Sequence, residues 1–171
     1  MLVVLLAGCS STNDAAEPPL TPGAATCVDQ DGDTSQLDLI RVQLNQKANE
    51  LRVTWALADP IPQVKHPDVL LLASVVSADR KYSYQLGVRF AQGKQVGYFV
   101  FGGDRGQVDV KGKAVVEGAD VTGVFRMPAD LGDNFDWYAS TVLGKTTLDA
   151  CPGEPGSIET QPFTRSNRTL T

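Results

Sequence analysis

Histidine is nearly absent from this chain. His66 is the only one in 171 residues, so any Ser-His-Asp or Cys-His catalytic device would have to be built on it. It stands in Pro62-Gln63-Val64-Lys65-His66-Pro67, an irregular proline-bounded stretch, and no Gly-x-Ser-x-Gly nucleophile elbow accompanies it. Gly102-Gly103-Asp104-Arg105-Gly106 is followed by neither Lys-Ser/Thr nor a helix, which excludes a phosphate-cradling loop. Cationic residues are in deficit: 15 Lys and Arg against 20 Asp and Glu give a net charge of −5. Without a basic footprint for a phosphate backbone, nucleic acid is excluded as a partner class. Long apolar runs are missing as well. The longest, Leu2 to Ala7, falls far short of the roughly 20 residues that a membrane-spanning helix needs. No segment carries the apolar stripe of an amphipathic helix. Together these gaps argue for a chain that is not an enzyme, with carboxylate-pair hydrolysis as the one catalytic chemistry left open.

What is present begins with three cysteines. Leu6-Ala7-Gly8-Cys9 resembles the bacterial lipobox, a small-residue cleavage site followed at once by the cysteine that becomes lipidated. The resemblance implies a signal peptide over 1–8, a mature protein starting at Cys9, and an extracytoplasmic chain anchored to a bacterial cell membrane by its acyl chains. At about 0.8 kcal/mol per buried methylene, more than one chain gives stable anchoring. Ser10 after the cysteine, rather than Asp, implies transfer to the outer membrane where there are two. Setting Cys9 aside leaves Cys27 and Cys151, which an exported protein can oxidise to one disulfide. Such a bridge would close a long loop and contribute roughly 2–4 kcal/mol, the alternative being two free thiols.

Residues 9–26 are Ser, Thr, Asn, Pro and Ala with almost no large apolar side chain, the composition of a tether. From Leu37 to Leu148 the apolar period is two, the signature of strands with one buried face. Leu51-Val53-Trp55-Leu57, Tyr82-Tyr84-Leu86-Val88-Phe90 and Phe135-Trp137-Ala139-Thr141 alternate with mostly polar neighbours. Weaker runs are Ile40-Val42-Leu44, Val96-Tyr98-Val100, Val108-Val110, Ala114 to Val116 and Val121-Gly123-Phe125-Met127. Val69 to Val76 is almost wholly apolar, and its β-branched pairs favour a central strand over a buried helix. Gly-rich turns recur between these runs. The sequence therefore predicts an all-β antiparallel sandwich over 27–152, immunoglobulin-like or jelly-roll-like, with little or no helix. Residues 153–171 return to Pro, Gly, Ser and Thr and read as a mostly mobile tail, with room for one docked segment.

Asp29-Gln30-Asp31-Gly32-Asp33, followed by Asp38, is the densest polar feature. Alternating carboxylates can converge on calcium, which takes about six to eight oxygens. The EF-hand template fails, since the glycine falls at the fourth loop position and Ile40 occupies the twelfth; a solvated Asp-Gly turn is the plainer reading. Asp38 shares the parity of Ile40, Val42 and Leu44, so it points inward and needs a partner. Asp149 would be brought to the same end by a Cys27–Cys151 bridge, and a structural cluster is expected there.

Asp31-Gly32-Asp33 before Leu37-Asp38-Leu39-Ile40, the Leu51-to-Leu57 strand, the Val121-to-Pro128 strand, and Trp137-Tyr138-Ala139 before Asp149-Ala150-Cys151-Pro152 together resemble exported β-sandwiches related to DOMON and family-nine carbohydrate-binding domains. The resemblance covers Cys27 to Pro152 and implies a domain that binds sugar or haem, in some members with calcium. Haem in such domains uses a Met and a His; here only His66 and Met127 are available. Met127 has the inward parity of Val121 and Phe125, so core packing accounts for it. Sugar binding needs outward aromatics. Trp55 and Trp137 have inward parity, whereas Phe99, Phe101 and Tyr138 have outward parity and form the candidate platform or protein-contact patch. The expectation is a membrane-anchored binding module for a glycan or another envelope component. The alternatives are an interaction lipoprotein with no small-molecule ligand and, last, a small carboxylate-based hydrolase.

Overall fold

The computed structural model describes residues 21–29, 37–63, 65, 67–156 and 159–166; Cys9, Asp31, Asp33 and His66 lie outside them. The chain runs through β1 (Ala24–Val28), β2 (Leu39–Lys47), β3 (Glu50–Leu57), β4 (Val69–Ser77), β5 (Ser83–Ala91) and β6 (Lys94–Gly102). It continues through β7 (Gln107–Asp109), β8 (Val115–Glu117), β9 (Asp120–Arg126), β10 (Asn134–Leu143), β11 (Thr146–Cys151) and β12 (Gln161–Thr164). Two single 3-10 turns, Gly103–Arg105 and Ala129–Leu131, are the only helical pieces among the described residues.

Two antiparallel sheets form a sandwich. The first has the order β1-β2-β3-β9-β8 and the second β11-β10-β4-β5-β6-β7, with β12 also paired to β10. Alternation sets which side chains meet between them: Leu51, Val53 and Trp55 from β3 face Leu71, Ala73 and Val75 from β4 and Phe135, Trp137 and Ala139 from β10, all buried. Both tryptophans and Met127 lie in this core, as their parity predicts. Trp55 donates its indole N–H to the Leu72 carbonyl of the opposite sheet at 3.2 Å, so its polar atom is satisfied without leaving the interior. At the β6 side, Tyr98 packs edge-on against Phe125 with ring centroids 5.0 Å apart and exchanges hydrogen bonds through its hydroxyl with the Val124 backbone. Cys27 and Cys151 form a disulfide, with Cα atoms 5.9 Å apart, that joins β1 of one sheet to β11 of the other.

Local differences from the sequence expectation have physical causes. A bulge between Leu39 and Arg41 turns Leu39 into the core ahead of Val42 and Leu44, which leaves Ile40 only partly buried instead of inward. Asp38 is buried, but from the turn before β2 and not from the strand's inward row. Tyr82 precedes β5 and is exposed instead of joining the inward row. Strand pairing continues beyond residues 27–152 on both sides, on the C-terminal side as the one docked segment allowed for in the tail. Ala24, Ala25 and Thr26, in the expected tether, belong to β1 because their backbone pairs with Leu44, Asn45 and Gln43 of β2. In the expected tail, β12 pairs with Asn134 to Trp137, and Phe163 stacks on Phe135 at 4.6 Å. A single large aromatic is enough to dock that segment, since it is 1% exposed.

Candidate functional site

The outer face of the second sheet brings the three outward aromatics together. Strand register defines its rows: Tyr138 lies beside Ser74, Ser74 beside Gln85, and Gln85 beside Phe101. One row along, Ala150, Ser140, Leu72, Gly87 and Phe99 follow one another across β11, β10, β4, β5 and β6. With strands about 4.8 Å apart, Tyr138 and Phe101 are separated by three spacings, roughly 14 Å. Between them stand Ser74 and Gln85. Ser74, Ser140 and Ala150 form a low floor that their neighbours overshadow, and the result is a cavity of about 300 Å³ lined by Ser74, Gln85, Tyr138, Ser140, Leu72 and Thr147 among others. Ser74 and Ser140 are themselves buried, so the polar groups that reach solvent beside the half-buried Tyr138 ring are those of Gln85 and Thr147, a combination suited to a ligand with both apolar faces and polar edges.

Phe99 is where parity and exposure part company. It sits on the outer face as expected, yet it is 4% exposed, whereas Phe101 is 48% exposed. The reason is its cross-strand partner. Gly87 has no side chain, and the Phe99 ring collapses into the vacant position, so close that a Cβ on Gly87 would meet the ring at 2.4 Å. The Arg89 guanidinium then lies 5.8 Å from the ring centroid. Phe99 is therefore not the solvent-facing platform residue that parity predicts but a ring packed over Gly87. Tyr138 and Phe101 keep the accessible aromatic surface.

Of the aspartates named from the sequence, Asp29, Asp38 and Asp149 lie among the described residues. Asp149 is 1% exposed. One of its oxygens accepts the Leu39 amide at 2.6 Å and the other accepts the Ala150 amide at 2.7 Å, which pins the start of β2 to β11 across the two sheets. Asp38 adjoins this contact, and its carbonyl accepts the Ala58 amide at 2.9 Å. Asp29, after β1, donates its own amide to the Ile40 carbonyl at 3.0 Å. Among the described residues no three His, Cys, Asp or Glu side chains are gathered as a metal-holding group. At the far end of β5, the Tyr84 hydroxyl donates to Asp130. Burial, reinforced by that carboxylate, pushes the hydroxyl up to about 12.

Sequence reasoning missed the floor of the trough and its charged end. Ser74, Ser140 and Gln85 are ordinary polar strand residues until register sets them side by side, and Arg89 and Lys145 are unremarkable cations until the turn after β10 brings them to one hollow. The available signal was the outward parity that Ser74 and Ser140 share with Tyr138 on β4 and β10. No protein-family model, curated protein or solved structure matches this chain.

Proposed function

We propose that this protein is an extracytoplasmic binding module, lipid-anchored through Cys9, that captures a glycan of the cell envelope on the outer face of its second sheet. The observation that carries the reading is the trough itself, a Tyr138-to-Phe101 row with Ser74 and Gln85 between the rings. A sugar ring offers an apolar face to an aromatic side chain and a rim of hydroxyls to the Gln85 amide and the Thr147 hydroxyl. The resemblance to carbohydrate-binding sandwiches points the same way.

The test is sedimentation of the full chain, carrying Cys9→Ser, with insoluble polysaccharides and purified envelope polymers. Binding to at least one polymer is expected, weakened about 3–10-fold by Tyr138→Ala and less by Phe101→Ala. Binding to none refutes the glycan reading. Anchoring has its own check, since Cys9→Ser should abolish incorporation of a labelled fatty acid and shift the protein from detergent to aqueous phase.

The second reading, an interaction lipoprotein without a small ligand, draws on a different observation. Val96, Val108, Val115 and Val116 are exposed on and beside the short edge strands β7 and β8. In that case an envelope protein, and no polymer, would co-purify with the chain, and substituting these valines would release it while Tyr138→Ala would not.

A further inference from the structure

The trough does not end at Ser140. Along β10 and β4 the next outward residues are Val142 and Leu70, which pair with each other and with Thr147 and Arg89. Beyond them opens a broader hollow of about 690 Å³ lined by Leu70, Arg89, Lys145, Thr146, Pro67 and Asp68 among others. Trough and hollow thus form one continuous surface running in the strand direction. Tyr138 to Val142 is four residues, roughly 13 Å of extended chain.

The hollow is cationic in a protein whose net charge is −5. Arg89 and Lys145 both line it, and neither is held by a carboxylate: the ion pairs among the described residues are Arg80 with Asp136 and Lys81 with Asp79. The Arg89 guanidinium carbon lies 5.8 Å from the centroid of the Phe99 ring, a cation–π contact that occupies none of its N–H donors with an acceptor oxygen. Lys145 stands in the β10–β11 turn, which is fixed by the Gly144 amide donating to the Asp68 carbonyl at 2.8 Å. Asp68 is the one carboxylate among the lining residues, so the two cations exceed it by one charge. A neutral ligand would leave that excess unanswered. An anionic group seated between Arg89 and Lys145 would receive charge-assisted hydrogen bonds from both.

From this we infer that the ligand is an acidic glycan, one carrying carboxylates, with a sugar ring on Tyr138 and a carboxylate further along the chain held by Arg89 and Lys145. The inference rests on the glycan reading and adds the charge of the ligand to it. A peptide fits the surface less well. Strand addition requires an unpaired backbone edge, and β10, β4 and β5, which form the trough, are each flanked by partners on both sides. The Gln85 amide and the exposed Thr147 hydroxyl beside Tyr138 instead match a ligand whose periphery is hydroxyl groups.

Two polymers with the same backbone isolate the charge: polygalacturonate and its fully methyl-esterified counterpart, each titrated calorimetrically into the full chain carrying Cys9→Ser. The acid should bind about tenfold tighter than the ester, and the difference should vanish at high salt, where the Debye length is a few ångströms. Arg89→Gln with Lys145→Gln should erase the preference, bringing acid and ester to the same affinity, with an unchanged melting temperature as the control for folding. Tyr138→Ala should weaken both polymers alike. Equal affinity for acid and ester overturns the inference and leaves the glycan reading standing. So does equal loss of both polymers in the Arg89/Lys145 variant, or poly-glutamate binding as tightly as the uronate with the same dependence on Arg89 and Lys145. Failure of every polymer, neutral or acidic, removes the glycan reading itself.

Discussion

Replacing both Cys27 and Cys151 with alanine removes the covalent link between the sheets without burying a new polar group. The bridge spans 124 residues of sequence, and loop-closure entropy for a ring of that length amounts to about 4.9 kcal/mol at 25 °C. Residual structure in the unfolded chain lowers the measured figure, so a loss of about 3–5 kcal/mol is expected. At roughly 2–4 °C per kcal/mol for a chain of this size, the melting temperature should fall by about 6–20 °C. The assay is urea unfolding of the oxidised protein and the double alanine variant, with thiol alkylation and intact mass to establish the state of the cysteines. Because the constraint acts mainly on the unfolded state, the denaturant slope should rise in the variant as the open chain expands. A stability change under about 1 kcal/mol with an unaltered slope would refute the reasoning, because it would mean that the two sheets are already held together as tightly by Asp149 and the core.

Other substitutions probe the face and its supports. Gly87→Ala sets a methyl group where the Phe99 ring lies and should cost about 1–3 kcal/mol in urea unfolding, part of which the additional change Phe99→Ala restores; a neutral effect of Gly87→Ala would show that the ring is free to leave. Phe163→Ala should cost about 3–5 kcal/mol, far above the effect of a change in a mobile tail, and a loss below about 1 kcal/mol would deny β12 its place in the fold. The Tyr84 hydroxyl, neutral up to about 12 in the fold against an ordinary value of 10.0, contributes stability that is complete below pH 10 and lost as pH rises through about 12. Tyr84→Phe should therefore flatten the alkaline decline of stability over that window, and an unchanged decline would place its cause elsewhere.

Legibility in the sequence follows how much of each element's stability is local in pattern. β3, β5 and β10 bury one face, so alternation announces them, and the inward parity of Trp55, Trp137 and Met127 is enough to assign them to the core. β1 and β12 are ordered by pairing with β2 and β10. Each contributes a single buried side chain, Cys27 and Phe163, too little to mark a strand in isolation. The bulge at Leu39 displaces Ile40 because a one-residue slip reverses the side chains before it while Val42 and Leu44 keep their inward parity, and nothing in Leu39-Ile40-Arg41 announces it. The same division holds for the trough. Parity gives the outer face of Tyr138, Phe99 and Phe101, but how far Phe99 is covered depends on Gly87, twelve positions away and opposite it only by register.

The chain enters and leaves the sandwich at one corner. The Gly23 amide donates to the Thr164 carbonyl at 2.7 Å, and the Ser166 amide donates to the Gln46 side chain at 3.0 Å. Entry and exit are thus separated by little more than a hydrogen bond, so a short linker could join them and new ends could be opened at an exposed turn without disturbing the order of the strands. For the same reason the unit could be spliced into a loop of another protein, or repeated in series, as an interchangeable bead on a string.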